Sequence, residues 1–359
     1  MGSGSMAACI FKSFTILGFF VFSAATAQEF PDSLPMNEFR VLASHNSYKV
    51  QPTARTMKFI NRFKSLLGEE NQPFQLFYSH VPISEQLSTY HIRGLELDVY
   101  NDPTGGRYFK HRLNFFIPKQ RIREEKYKAL KEPGFKIIHI PDIDYQTNYL
   151  SLADALEELN AWSVSNPTHA PIFVNIELKG SALGDEAGIL RLFGFKKAIP
   201  FDSSSLNQMD SLFEATLKTM YSTRDFLNNE QNLQDRIQHQ GWPSLGDVRG
   251  RIFVIIQGSG ASSYPEHGGA FKYGSSENPN CIFLLCDDPF ANEMLIRQQR
   301  STHIIRTRTD AGTIEARNND YTRLDKARET GAQILSTDYY KPDPTIGSFV
   351  IPFLGFIPY

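Results

Sequence analysis

Ser151-Leu152-Ala153-Asp154-Ala155-Leu156-Glu157-Glu158-Leu159, followed after a short connection by Ile172-Phe173-Val174-Asn175-Ile176-Glu177, decides the fold. The first stretch has a Ser N-cap, an acidic residue three positions on, and apolar residues at 152, 155, 156 and 159, the start and inward stripe of a helix. The second is a strand-sized apolar run. Working outward, similar runs recur at 39–43, 94–99, 135–138, 252–256, 281–285, 303–305 and 332–335. Helical spacing returns at 206–221 and at 321–330, where Gly331 supplies the stop. Alternating strand and helix predicts a mainly parallel α/β sheet. About eight strands, without a Gly-x-Gly-x-x-Gly turn after the first, favour a closed (β/α)8 TIM-type barrel over a doubly wound dinucleotide fold. Residues 198–201 are a ninth, weaker strand candidate, and inserts mixing basic with aromatic residues fall at Tyr48 to Tyr90 and Asn101 to Pro133.

Composition narrows the chemistry. Of 359 residues, 37 are Lys or Arg against 39 Asp or Glu, so no overall basic field exists to hold a nucleic-acid backbone. Nucleic acid is excluded as the expected partner. Three Cys with no Cys-x-x-Cys or Cys/His spacing leave oxygen as the donor for any metal. Met1-Gly2-Ser3-Gly4-Ser5 reads as a cloning remnant. Lys12, the apolar run Phe14 to Ala25 and Ala25-Thr26-Ala27 read as a secretory leader. The run of about 12 residues is shorter than the ~20 a spanning helix requires. The expectation is therefore a leader over 1–27 and a single catalytic barrel domain over 28–359, secreted or periplasmic, with no transmembrane segment in the mature chain. Cys281 and Cys286 could pair only across a turn, because five extended steps of ~3.3 Å exceed disulfide reach.

In a parallel barrel the reactive side chains come from the carboxyl ends of several strands, where the βα loops converge on one mouth. His45 and Asn46 follow the first expected strand, Glu96 and Asp98 lie in the second, His139 closes the third and Glu177 the fourth, while Asp338 follows the last. Spacing by two puts Glu96 and Asp98 on one face of their strand. Two anions facing a lumen either raise a pKa or hold a cation. With Asn46 and Glu177 they form an all-oxygen donor set that suits Ca²⁺ over Mg²⁺, which prefers fewer protein ligands and rigid octahedral geometry. Each residue singly has a bland reading, a structural His or a solvated acidic face; the ordered set points to function. His80, His91, His111 and His169 read as structural or solvent-exposed, with His111, in Lys110-His111-Arg112, the one rival for a catalytic place. Gly258-Ser259-Gly260-Ala261-Ser262-Ser263 lacks the Lys-Ser/Thr of a phosphate loop and reads as a strand-to-helix connection.

With these residues in hand, the chain resembles the calcium-dependent phosphatidylinositol-specific phospholipases C, particularly the secreted bacterial type, within the barrel phosphodiesterase superfamily. The likeness is carried by Ala43-Ser44-His45-Asn46-Ser47-Tyr48, Gly94-Leu95-Glu96-Leu97-Asp98-Val99, Ile138-His139-Ile140-Pro141-Asp142-Ile143-Asp144, Asn175-Ile176-Glu177-Leu178-Lys179 and Gly331-Ala332-Gln333-Ile334-Leu335-Ser336-Thr337-Asp338-Tyr339. It implies His45 and His139 as the acid/base pair and Asn46, Glu96, Asp98 and Glu177 as calcium ligands. Arg93-Gly94-Leu95-Glu96-Leu97-Asp98-Val99 also looks like the second motif of glycerophosphodiesterases, but His45-Asn46 departs from their His-Arg-Gly opening, which puts that activity second.

The expected reaction is cleavage of a phosphatidylinositol-type phospholipid, at a membrane surface, to diacylglycerol and an inositol phosphate. An inositol hydroxyl attacks, His45 acts as base and His139 as acid. Asp338 would orient His45, and Asp142 is the candidate to orient His139. Lys179, Arg306 and Arg308 are candidates for the phosphate or head group. The apolar C-terminal run 349–359 either packs on the barrel wall or enters a bilayer interface. A reading of another class is a catalytically idle barrel that binds lipid or carbohydrate.

Overall fold

The apolar runs fold as strands, and the periodic segments between them as helices, in the computed structural model, which describes residues 30–351 and 356–358 apart from 63, 65–71, 118–123, 187–190 and 267. The leader expected over 1–27 lies outside the described residues. The strands are β1 (Phe39–Ser44), β2 (Gly94–Asp102), β3 (Gly134–Ile137), β4 (Ile172–Leu178), β5 (Ile252–Gly258), β6 (Phe271–Lys272), β7 (Phe283–Leu285), β8 (Ile304–Arg308), β9 (Ile334–Thr337) and β10 (Phe356–Pro358). Neighbours run in the order β6-β5-β4-β2-β1-β9-β8-β7, and one parallel bridge from Tyr273 to Phe283 joins the two ends. Eight parallel strands thus form a nearly closed (β/α)8 barrel, as the alternating pattern predicts.

Helices α1 (Ala54–Asn61), α2 (Ile83–Thr89), α3 (Leu113–Phe116) and α4 (Leu152–Ser165) occur in the first half of the chain. The N-terminus of α4 is set as its sequence indicates, with Ser151 Oγ accepting the Asp154 amide at 3.1 Å. Its Leu152, Ala155, Leu156 and Leu159 are buried in one core with Leu95, Leu97 and Val99 of β2. Those odd-numbered β2 residues form the outer wall. The even-numbered ones face inward, because side chains alternate along a strand.

Register stacks the inward residues in layers. Gly94 pairs with Phe173, Glu96 with Asn175 and Asp98 with Glu177 across β2 and β4, and Arg306 and Arg308 of β8 pair with Ile334 and Ser336 of β9. The floor is aromatic, with the rings of Phe173, Phe253, Phe271 and Phe283 within 5.2–6.1 Å of one another in successive pairs. Polar side chains occupy the layers above, toward the carboxyl ends.

Two strand expectations are corrected and one strand is new. The run 135–138 is not a barrel strand; β3 pairs antiparallel with the upper part of β2, from Gly134 opposite Asp102 to Ile137 opposite Val99. Residues 198–201 form no strand. The remaining barrel place is taken by the two-residue β6, too short to leave a periodic signal. The C-terminus packs on the wall: β10 runs antiparallel to Phe39–Val41 of β1, Phe349 and Ile351 are buried, and the Phe349 ring stacks on Tyr321. Cys281 and Cys286 flank β7 as buried, unbridged thiols.

The β1–β2 contact is a thin seam of the barrel, with one register pair, Ala43 opposite Gly94. A Cβ at Gly94 would sit 2.4 Å from the Ala43 Cβ, so glycine is what lets these strands meet. Gly94→Val is expected to lower unfolding stability by about 1–3 kcal/mol through overpacking, measurable as a reduced urea midpoint; an unchanged midpoint would show that the seam has slack.

Candidate active site

The lumen narrows to a charged cluster above the aromatic floor. Glu96 and Asp98 from β2 and Glu177 from β4 each offer a carboxylate oxygen, and these oxygens all lie within 4.8 Å of one another. Asp98 and Glu177 are direct cross-strand partners, which is why strands distant in sequence bring their acids together. Glu96 and Asp98 are buried. Burial, opposed by Arg306 and reinforced by the neighbouring acids, pushes Glu96 up to about 8. Burial and Asp98 likewise raise Glu177. Three acids crowded in a dry space call for positive charge.

Basic side chains meet part of that demand. Lys179 Nζ lies 2.8 Å from Glu177 Oε1 and 3.2 Å from Asp98 Oδ2. Against the pull of burial, these acids hold the Lys179 ammonium well above its ordinary range. Buried Arg306 pairs with Glu96 and, at 3.0 Å, with Asp287. Arg308 reaches Asp338 at 2.9 Å and Asp310 at 3.7 Å. Lys179, Arg306 and Arg308, expected as substrate contacts, are thus held against acidic neighbours at the mouth.

The acids still fit a hard cation. Asp98 Oδ1 is buried without a hydrogen-bond partner, as are both amide atoms of Asn175, one layer below Glu177. Asn46, buried at the top of β1 with φ of 49°, donates its Nδ2–H to Tyr78 Oη at 2.8 Å. That bond fixes the amide so that its other terminal atom is an oxygen, the donor a calcium shell uses. All-oxygen donors from Glu96, Asp98, Glu177 and Asn46 suit Ca²⁺.

Two imidazoles are each bonded to a carboxylate. His45 follows β1 and donates Nδ1–H to Asp338 Oδ1 at 2.7 Å, which leaves Nε2 as the lone-pair nitrogen. Burial, then Arg308 and Arg306, hold His45 well below the ordinary imidazole range. His139 donates Nδ1–H to Asp144 Oδ2 at 2.6 Å. The orienting partner is therefore Asp144 and not Asp142. The two Asp142 oxygens instead accept the Arg112 and Lys196 amides at 2.8 and 2.6 Å, and the residue has φ of 74°, a turn role set by its Pro141 neighbour and left-handed backbone.

His139 also arrives by an unexpected route. β2 continues past the level of Asp98 to Asp102, and antiparallel β3 brings the chain back down beside it, with His139 two residues past its end. Residues not singled out in the sequence tie the two imidazoles together. Lys49 Nζ lies 3.0 Å from Asp144 Oδ2, with both side chains fully buried, and 4.6 Å from the Tyr78 ring centre. The Tyr78 hydroxyl is 3.4 Å from His45 Nδ1. Against burial, Lys49 and His139 hold the Asp144 carboxyl below its usual range. Lys49 lies three residues from Asn46 and Asp144 two from Asp142, so proximity to the motifs is the one signal that marked them. His80 is structural, donating Nε2–H to the His45 carbonyl at 2.7 Å and stacking on Tyr340. His111 stacks on Tyr145 and His169 bonds Ser163, also away from the acid cluster.

The structure is an α/β barrel with carboxylates clustered on the inward faces of two neighbouring strands. Residues 34–357 match the profile of the family described as phosphoinositide phospholipase C, Ca²⁺-dependent. The chain belongs to that family. Similar solved structures include the calcium-dependent phosphoinositol-specific phospholipase C of a Gram-negative Pseudomonas species, with TM-score 0.54 and 13% identity over 92% of this chain and 98% of that one. Another is the Ca²⁺-dependent phosphatidylinositol-specific phospholipase C of Streptomyces antibioticus, with TM-score 0.51 and 13% identity over 90% and 99% of the respective chains. At such identity they share the fold. A search of curated proteins found no match.

Lys49→Met, which takes the ammonium from a buried Asp144 carboxylate and leaves it the His139 bond, is expected to cost about 3 kcal/mol of stability at pH 7. Because the folded Asp144 pKa is depressed, its contribution exists above the unfolded carboxyl value near ~4 and fades as pH falls through the folded value. The gap between mutant and wild-type denaturation midpoints should therefore close with acidification; a gap constant to pH 3 would show that the pair is not its source.

Proposed function

We propose that the protein is a secreted, calcium-dependent phospholipase C that cleaves phosphatidylinositol-type lipid to diacylglycerol and an inositol phosphate, with residues 28–359 as one catalytic domain released from a leader at 1–27. What supports this reading is that the described residues include two imidazoles each held by a buried Asp and a cluster of three carboxylates from the inward faces of β2 and β4. Among the described residues no helix is long and apolar enough to cross a membrane.

His45 is assigned as the general base. Asp338 holds its Nδ1–H, so Nε2 is the atom that takes the proton of the inositol hydroxyl next to the phosphate. Arg308 holds Asp338 in turn, which keeps the imidazole in one orientation. His139 is assigned as the acid that protonates the departing diacylglycerol oxygen, its ring fixed by Asp144 and, behind that, Lys49. An attacking hydroxyl within the substrate removes the need to immobilise a separate nucleophile. Calcium held by Asn46, Glu96, Asp98 and Glu177 would lower the pKa of that hydroxyl and offset charge developing on the phosphate. Lys179 sits where it both neutralises Asp98 and Glu177 and can turn toward phosphate. The glycerophosphodiesterase reading stays second, and product analysis separates the two: diacylglycerol supports the first, glycerol phosphate released from deacylated lipid the second.

His45→Ala and His139→Ala are each expected to lower turnover of phosphatidylinositol by about 10²–10⁴ while calorimetry still detects calcium; Glu96→Gln or Asp98→Asn should weaken calcium binding at least about tenfold. Activity that survives excess chelator would remove calcium from the reaction. Since His45 lies well below the ordinary 6.5, it remains a neutral base below that pH, and the acidic limb of kcat/KM on a water-soluble inositol phosphodiester should fall under pH 6.5. A limb at or above 6.5 would reassign the base.

A further inference from the structure

The reaction as assigned above leaves one fully buried carboxylate without a task. Asp310 lies two residues past the end of β8 and is 0% exposed. A carboxylate is costly to bury unless its oxygens are hydrogen-bonded and its charge is met. Burial and Asp338, against Arg308 and the Thr337 hydroxyl, push Asp310 up to about 6. The groups its oxygens hold show what that cost maintains.

Both oxygens are directed at the end of β9. The β8–β9 ladder runs from Arg306 opposite Ile334 to Arg308 opposite Ser336, and the Thr309 amide adds a rung by donating to the Ser336 carbonyl at 2.9 Å. Past that rung the Asp310 side chain takes the place of a backbone acceptor. Its Oδ1 accepts the Asp338 amide at 2.9 Å. Its Oδ2 accepts the Thr337 hydroxyl and lies 3.2 Å from Thr309 Oγ1. Thr337 Oγ1 in turn accepts the Tyr339 amide at 2.8 Å. Residues 337–339 are thereby tied down where the chain leaves the barrel.

That point aims the partner of His45. Asp338 Oδ1 accepts His45 Nδ1–H at 2.7 Å, and its Oδ2 accepts from Arg308 Nη2 at 2.9 Å. The same Nη2 lies 3.7 Å from Asp310 Oδ1. Asp338 is thus held at both ends, its amide by Asp310 and its carboxylate by an arginine that Asp310 also faces. With the amide released, the peptide at the end of β9 is free to turn and carry the carboxylate off the ring. A displacement of about 1 Å at such a distance from the chemistry can cost about 10²-fold in rate.

We propose that Asp310 is a positioning residue for the reaction: by holding the Asp338 amide and the Thr337 hydroxyl it aims the Asp338 carboxylate at Nδ1 of His45 and keeps Nε2 as the nitrogen that takes the proton. The proposal rests on His45 as the base and deepens that reading. It also has a readout that needs no substrate, the tautomer of the neutral His45 ring, seen in its nitrogen NMR signals.

The test compares the full chain with Asp310→Ala and Asp310→Asn. Asparagine keeps an oxygen for the Asp338 amide and has an Nδ2–H that can meet Thr337 Oγ1, so it preserves the aim without the charge. With Asp310→Ala, kcat on a water-soluble inositol phosphodiester should fall about 10- to 100-fold, with KM and calorimetric calcium affinity unchanged, the split expected when an interaction acts in the transition state alone. The His45 signals should move from the Nδ1–H form toward a mixture of tautomers. Asp310→Asn should restore both kcat and the Nδ1–H signals. Should the alanine chain not fold, hydrogen exchange of the Asp338 amide in the wild type is the second measurement, and slow exchange is expected. An alanine variant with wild-type kcat or an unchanged tautomer would overturn the proposal. So would an asparagine variant as impaired as the alanine one, or a wild-type Asp338 amide that exchanges like an exposed one. A wild type without turnover whose His45 tautomer still depends on Asp310 would count against the phospholipase reading and leave the positioning role standing.

Discussion

The arrangement of this molecule depends on keeping three carboxylates in a space that water does not solvate well. Glu96, Asp98 and Glu177 share the upper lumen because β2 and β4 pair in a register that sets Asp98 against Glu177. A floor of phenyl rings closes the space from below. Isolated carboxylates there would take up protons, the tendency visible in the raised Glu96 and Glu177. Lys179 and Arg306 offset part of the charge, and the unpartnered Asp98 oxygen leaves room for more positive charge. The same feature therefore limits the fold and equips it: acids too crowded to be stable unaided are ready to hold a divalent cation.

The seam between β1 and β2 is where structure and chemistry meet. A regular barrel would join these strands along their length. Here one register pair joins them, β10 lies along the start of β1, and β3 runs antiparallel along the end of β2. The opening so created admits the loop after β1, whose Lys49 reaches Asp144 beyond β3. Both histidines are thereby fixed from behind by buried carboxylates, Asp338 for His45 and Asp144 for His139. With Nδ1–H donated to a carboxylate in each ring, Nε2 is the nitrogen left to take up or give a proton.

Legibility in the sequence follows the range of the forces involved. The α4 cap, the Gly331 stop and the alternation along β2 are settled by residues a few positions apart, so they are readable directly and agree with the structure. Spacing by two was enough to put Glu96 and Asp98 on one face. It was not enough to tell parallel from antiparallel pairing, because both directions use the same alternation, and β3 was misplaced for that reason. The two residues of β6 have no period to detect. Choosing Asp142 over Asp144 as the partner of His139 failed similarly: both carboxylates are within chain reach, and the left-handed turn at Asp142 decides which one returns to the ring.

What the chain alone determined, then, was the set of strands and helices, the inward face of β2 and the family to which its ordered motifs point. These rest on backbone geometry and residue type, which act locally. Only the tertiary structure decided how charges are paired: Lys179 with Asp98 and Glu177, Arg306 with Glu96, Lys49 with Asp144. Electrostatic and packing energies depend on distance through space and on exclusion of water, and neither quantity exists until strands remote in sequence have met.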